Sequence, residues 1–175
     1  MTEKIIIAGS GGQGVMLLGK VIAEAAMKEN KFVTWLPCYG AEVRGGTAYC
    51  MVIVSNKGIG SPYVDKADSV IIMNSPSLAK FEGRLAKGGF LLINSSLVHA
   101  QIKTAKAKSY PFTEIAQACG NIKTANMVAL GALIAHRNIL KEKSCIEVMK
   151  ETASSVKKEL IEINISALKE GIRLK

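Results

Sequence analysis

The sequence predicts an α/β domain of three layers, α/β/α, with helices on both faces of a mostly parallel but mixed sheet. Three features carry that expectation. Short apolar runs of strand length alternate with longer segments of helical composition. The first run passes straight into a glycine cluster that opens a helix. A turn signal at Asn56-Lys57-Gly58 folds one strand back, which mixes the sheet. A chain of 175 residues suits one domain, 1–175. With 49% apolar and 21% charged residues it can build a core and is not of disordered composition.

Lys4–Ala8 is a continuous apolar run of the kind buried on both faces of a sheet. Val15–Lys28, rich in Leu, Ala, Met and Lys, predicts a helix. Phe32–Leu36 predicts a second strand, closed by Pro37, and the β-branched run Thr47–Ser55 a third. Ser69–Met73 is a fourth, followed by a helix that Asn74 or Ser75 caps, Pro76 begins, and that runs to about Leu85. Gly88-Gly89 is read as a turn into a fifth strand, Phe90–Asn94. A short sixth strand is expected at Lys108–Phe112 and a brief helix at Thr113–Cys119, ended by Gly120. Met127–Leu140 carries almost no charge and predicts a helix buried nearly all round. The last long helix is expected to start at Ser144, with Glu147 completing a capping box. Its apolar stripe runs through Met149, Thr152, Val156, Leu160 and Ile163, and a final turn from Ser166 to about Ile172 docks back.

Composition excludes several classes of function. No run approaches the roughly 20 apolar residues of a membrane span, and Ile5–Ala8 is too short for a secretory h-region. A cytoplasmic protein without membrane contact is therefore expected. Cys38, Cys50, Cys119 and Cys145 form no C-x-x-C pair, so no metal or iron–sulfur site is marked and buried, inert thiols are expected. With only His99 and His136, a histidine-based triad or metal site has little to draw on. The net charge of +9 is uneven: Lys80, Arg84, Lys87, Lys103, Lys106 and Lys108 face one acid, Glu82, in their stretch. Without interleaved aromatics this does not point to nucleic acid. It is either a solvated face or a contact for an acidic or phosphate-bearing partner.

Two motifs remain. Gly9-Ser10-Gly11-Gly12-Gln13-Gly14 fits G-x-G-x-x-G between a strand and a helix, where glycines admit close backbone approach and the helix end offers free N–H groups. A dinucleotide site also needs an acid at the end of the second strand, and here that strand ends Leu36-Pro37-Cys38. Gly9, Gly11, Gly12, Gln13 and Gly14 are thus candidates for a phosphate-binding or an interface loop. The segment Trp35–Ala48 concentrates Trp35, Tyr39, Glu42, Arg44, Gly45 and Gly46. Glu42 and Arg44 lie two apart and can pair with each other or reach across an interface, where Arg, Tyr and Trp are enriched.

With Ile59-Gly60-Ser61-Pro62 and Asn126–Ala132, these motifs resemble the gamma subunits of 2-oxoacid:ferredoxin oxidoreductases, in order along almost the whole chain. The resemblance implies the fold of the gamma domain of pyruvate:ferredoxin oxidoreductase and a subunit that is inactive alone. The complex converts a 2-oxoacid and coenzyme A to acyl-CoA and carbon dioxide, reducing ferredoxin. It implies no catalytic residue and no tightly bound cofactor in this chain. Thiamine diphosphate, magnesium and iron–sulfur clusters belong to alpha and beta partners, with a delta chain where one exists. The form of Trp35–Ala48 resembles 2-oxoglutarate enzymes more than pyruvate ones, with branched-chain enzymes close. Ala41 and Val43 stand where that form has Pro and Met. Interface roles are expected for Trp35, Tyr39, Glu42, Arg44, Gly45, Gly46 and Asn126, and coenzyme A or ferredoxin contact for Lys103, Lys106 and Lys108. The isolated chain could form a homodimer. The alternative is a free-standing nucleotide- or flavin-binding oxidoreductase that uses Gly9–Gly14.

Overall fold

Ile5, Ile6, Ile7 and Ala8 are wholly buried, which an extended chain achieves only where both faces of its sheet are covered. They lie in β1 (Thr2–Ser10), a central strand of the computed structural model, which describes residues 1–38, 47–104, 107–152 and 158–175. The other strands are β2 (Phe32–Cys38), β3 (Thr47–Ser55), β4 (Ala67–Ile72), β5 (Leu85–Asn94) and β6 (Ala107–Tyr110), in the order β2-β3-β1-β4-β5-β6. β1, β4, β5 and β6 run parallel, and β3 is antiparallel to both its neighbours, β1 and β2. Among the described strands β3 alone is reversed, so the sheet is mostly parallel and mixed.

Alternate residues feed two cores. Ile5 and Ile7, with Cys50, Val52, Val54, Ile71 and Leu92, face a thick layer of five helices. These are α1 (Val15–Lys28), α3 (Phe112–Ala118), α4 (Ala125–Arg137), α5 (Glu142–Thr152) and α6 (Lys158–Ile172). Ile6 and Ala8, with Met51, Ile53, Val70 and Leu91, face a thin layer. It consists of the seven-residue α2 (Ser75–Phe81), a 3-10 turn at Glu82–Arg84, and loops that contribute Val64 and Val98. Every residue from Ala125 to Ile134 in α4 is buried, as its lack of charge predicts. A Cβ on Gly131 would lie 2.1 Å from the Leu168 carbonyl oxygen, and one on Gly171 2.1 Å from that of Val128. The two glycines therefore let α4 and α6 cross backbone to backbone.

Several boundaries differ from expectation for physical reasons. Pro37 does not end β2, which continues to Cys38, because β2 is an edge strand and can dispense with one N–H. Gly88-Gly89 does not precede β5 but lies inside it. The pairing with β4 slips there, between Ala67↔Leu85 and Ser69↔Phe90, so the glycines accommodate a bulge, with Gly88 at φ +78°. The helix expected to reach Leu85 stops at Phe81 and tightens into the 3-10 turn. Ser144 does not cap the last helix: it is buried within α5, and the Glu29 carboxylate accepts from the Lys141 N–H (2.7 Å) at that helix start. A second helix, α6, begins at Lys158.

Candidate functional site

The site is built at the carboxyl ends of the parallel strands, beside the point where the chain leaves β1 for α1 on one face and β4 for α2 on the other. Such switch points are where open α/β sheets form crevices. Gln13 ties the two strand ends together: its Oε1 accepts from the Ser10 N–H at 2.7 Å and its Nε2 donates to the Met73 carbonyl at 3.0 Å. Asn94, fully buried at the end of β5, donates to Thr113 Oγ1 at 2.9 Å. From the first turn of α4, Asn126 donates to the Gly14 carbonyl at 3.1 Å.

The glycines of the loop divide by role. A Cβ on Gly9 would come within 2.9 Å of Met73 and Val15 side chains. At Gly14, the N-cap of α1, φ is +69° and a Cβ would sit 2.3 Å from Asn126 Nδ2. These two are consumed by packing within the chain. Gly11 and Gly12 face open space, Gly12 at φ +88°. There the backbone is bare to whatever approaches.

A cavity of about 220 Å³ opens beside Gly12, lined by Gln13, Met73, Leu97, Thr113, Ile122 and Lys123. Its rim is apolar, with Leu97 41% and Ile122 53% exposed. The lining offers amides, one hydroxyl and one ammonium, with no carboxylate, imidazole or thiol for proton transfer or nucleophilic attack. It is equipped to bind and to fit. The donors do not suit the cofactors that the resemblance implies. Among the described residues no carboxylate lines this cavity to hold a magnesium diphosphate, and no three His, Cys, Asp or Glu side chains are grouped to hold a metal.

All four cysteines are free thiols. Burial pushes Cys50 and Cys145 up to about 12, so both are un-ionised at neutral pH. Cys50 lies under the Trp35 indole, which rests against Gly19 of α1: a Cβ on Gly19 would be 2.9 Å from Trp35 Nε1 and 2.5 Å from Cys50 Sγ. Trp35 thus keeps an exposed edge on the outermost strand while its base is fixed.

Among the residues anticipated from sequence, Gln13 and the four glycines come together at the switch point. Trp35 is 36% exposed. Asn126 is corrected: at 2% exposure it is not a surface contact but the clamp on Gly14. Tyr39, Glu42, Arg44, Gly45 and Gly46, and so the Glu42–Arg44 pairing, lie outside the described residues, as does Lys106. Their described flanks, Cys38 and Thr47, stand at the same end of the sheet as the glycine loop, Thr47 opposite Ser10. Lys103 and Lys108 are exposed, Lys103 on the segment held by Glu82, which itself precedes β5, and Lys108 in β6 opposite Leu92. His136 makes no catalytic contact; its Nε2 lies 2.9 Å from Tyr110 Oη and 3.0 Å from the Leu174 carbonyl oxygen. Sequence reasoning missed Asn94 and Thr113; an Asn ending an apolar strand was the one signal available.

A family model described as pyruvate ferredoxin/flavodoxin oxidoreductase matches residues 4–174. The chain belongs to this family. It is 38% identical over 169 residues to the ketoisovalerate oxidoreductase subunit VorA of Methanothermobacter thermautotrophicus, covering 96% of this chain and 35% of that protein. The chain thus spans about a third of the length of the first curated relatives it matches. It is 32% identical to the 2-oxoglutarate synthase subunit KorC of Archaeoglobus fulgidus, covering 97% of this chain and 86% of that one. The solved gamma subunit of a keto/oxoacid ferredoxin oxidoreductase from Geobacter sulfurreducens superposes with a TM-score of 0.83 at 28% identity, over 98% of this chain and 97% of that one. Within the oxidoreductase family, the shared architecture is that of the gamma component.

Proposed function

We propose that the chain is the gamma component of a multisubunit 2-oxoacid:ferredoxin oxidoreductase, inactive alone. The complex joins a 2-oxoacid and coenzyme A into acyl-CoA and carbon dioxide and passes two electrons to ferredoxin. The observation that carries this reading is the family match over residues 4–174, and the chemistry of the crevice agrees with it. The described lining residues can shape and dock and include no carboxylate, imidazole or thiol, which supports a positional part for this chain. Bare backbone at Gly11 and Gly12 and the exposed edge of Trp35 form part of the contact for alpha and beta chains. Thiamine diphosphate, magnesium and the iron–sulfur clusters then reside in those partners, or in a delta chain where one exists. No helix among the described residues is long and apolar enough to cross a membrane, and a cytoplasmic complex is the setting proposed.

The form of Trp35–Ala48 supports 2-oxoglutarate as the substrate; the 38% identity to a ketoisovalerate subunit supports a branched-chain oxoacid as the second reading. The test is reconstitution with alpha and beta chains, followed by ferredoxin reduction with 2-oxoglutarate, 2-oxoisovalerate and pyruvate in turn. Activity only with the gamma chain present, and highest with 2-oxoglutarate, is the expected result. Turnover by the isolated chain would refute it.

A nucleotide-binding role is favoured by one observation, the placement of the glycine loop at the switch point. It requires saturable binding of NAD, NADP, FMN or FAD by the isolated chain, which titration reads directly.

A further inference from the structure

Charge is divided unequally between the two layers. The six ion pairs among the described residues all involve α1, the turn after it, α4, α5 or α6, on the thick side. On the thin side and its edge, Lys66, Lys80, Arg84, Lys87, Lys103 and Lys108 enter no ion pair among the described residues.

Several of these cations are drawn together by the 3-10 turn that follows α2. Lys66 Nζ donates to the Gly83 carbonyl at 2.7 Å, and Arg84 donates to the carbonyls of Asp65 and Val64. Glu82 Oε1 accepts from the Lys103 and Thr104 N–H groups at 2.7 and 3.0 Å and from the Thr104 hydroxyl at 3.1 Å. That carboxylate is therefore held by the separate segment at Lys103 and Thr104, and Asp65 is the other acid at this turn. Beside it lies a groove of about 420 Å³, which Glu82 still lines together with Gly83, Gly88, Gly89 and Thr104. A Cβ on Gly83 or Gly88 would meet nothing within 4 Å, so the groove has an open backbone floor.

We propose that this face, near the amino ends of β4 and β5 and away from the glycine loop, is a docking surface for a carboxylate-rich protein. Charge complementarity names the partner. The cations stand on separate flexible stems around a shallow groove, an arrangement that meets several carboxylates on a surface better than one compact anion. Nucleic acid fits less well because, among the described residues beside these cations, one ring alone, Tyr63, is exposed. Lys80 Nζ lies 5.4 Å from the Tyr49 ring and 5.6 Å from that of Phe81, and Arg84 lies 5.3 Å from the Tyr63 ring. Phe81 is buried and Tyr49 partly so, which leaves Tyr63, 57% exposed, as the single ring among the described residues here that a base could meet, too little for a stacking platform. The inference stands apart from the oxidoreductase reading and is tested on the chain alone.

The experiment measures binding of fluorescent poly-L-glutamate, and of oligothymidylate matched in charge, to the full chain. The proteins compared are the unmodified chain, K66E/K87E/K103E, and a control, K143E/K150E/K169E, that reverses three exposed lysines on α5 and α6. Melting curves confirm that each is folded; K66Q/K87Q/K103Q replaces the first variant if it is not. Saturable polyglutamate binding is expected, weakened roughly tenfold or more by the groove variant and far less by the control. It should vanish near 1 M salt, where the Debye length is about 3 Å. Equal loss in both variants would reduce the effect to net charge and overturn the proposal. Tighter binding of oligothymidylate, or no saturable polyglutamate binding, would overturn it as well.

Discussion

Replacing Gly14 with alanine should be among the most damaging single-methyl changes in this chain, although the loop that holds it lies at the surface. The new Cβ would sit 2.3 Å from Asn126 Nδ2 and 2.9 Å from Asn126 Cγ. Asn126 is 2% exposed and has nowhere to swing. A left-handed backbone at φ +69° costs a non-glycine residue about 1–2 kcal/mol, and overpacking adds about 1–3 kcal/mol. The sum, about 2–5 kcal/mol, corresponds to a fall in Tm of roughly 5–20 °C for a domain of this size. The same change at Gly12 meets open space and carries only the backbone cost, about 1–2 kcal/mol, and at Gly11 it should be neutral within about 0.5 kcal/mol. Thermal unfolding followed by circular dichroism ranks the three. Asn126→Ala removes the obstructing amide, so it should rescue part of the Gly14→Ala loss, with a coupling of about 1–3 kcal/mol. A Gly14 variant no less stable than the Gly12 variant, or strictly additive effects with Asn126→Ala, would refute the packing argument.

The acid limb of stability should depend on Glu29. Burial would raise its carboxyl, but hydrogen bonds from the Lys31 ammonium, the Lys141 N–H and the Ser144 hydroxyl outweigh it and hold it below its ordinary value of 4.5. A carboxyl lowered in the folded state stabilises above its unfolded value and loses that contribution as pH falls through the folded one. Glu29→Gln should therefore lower Tm at neutral pH and leave a flatter acid limb, with the two proteins converging as the pH falls below the folded value of Glu29. Arg137 guards a different carboxylate: its Nε and Nη2 donate to Glu3 at 2.9 and 2.8 Å, and Glu3 is 4% exposed. Arg137→Met strands that charge beside Ser69 and should cost about 3–5 kcal/mol in urea unfolding, with Glu3→Gln restoring part of the loss.

Much of this architecture could be read from the chain because the relevant physics is local. The continuous run at Ile5–Ala8 and the uncharged α4 each declare burial through pattern alone. Pro37 misled because a proline's meaning depends on whether its strand is at an edge, which only the assembled sheet decides. Gly88-Gly89 marked a true irregularity but not its kind, since a bulge and a turn share their residues. Ser144 fitted a capping box, yet Glu29, more than a hundred positions away, took the task. At the site, the strand–glycine–helix order was legible, and the division of labour among the glycines was not. Gly9 and Gly14 are set by what packs on them, Met73 and Asn126, and Gly11 and Gly12 by what does not. Asn126 drew attention within a motif, but its role is visible only once α4 lies against the start of α1.

The uneven roofing of the sheet has a consequence for how the molecule breathes. One side of β4 and β5 is sealed by α4 and its glycine-bearing crossing with α6; the other is shut only by the seven-residue α2 and by loops. Amide protons in α2 and the 3-10 turn should trade with solvent deuterium early, through small excursions that leave the central strands closed, while those of β1 and α4 wait for the whole domain to open. A ligand seated on the lightly covered side would slow the first class and leave the second untouched.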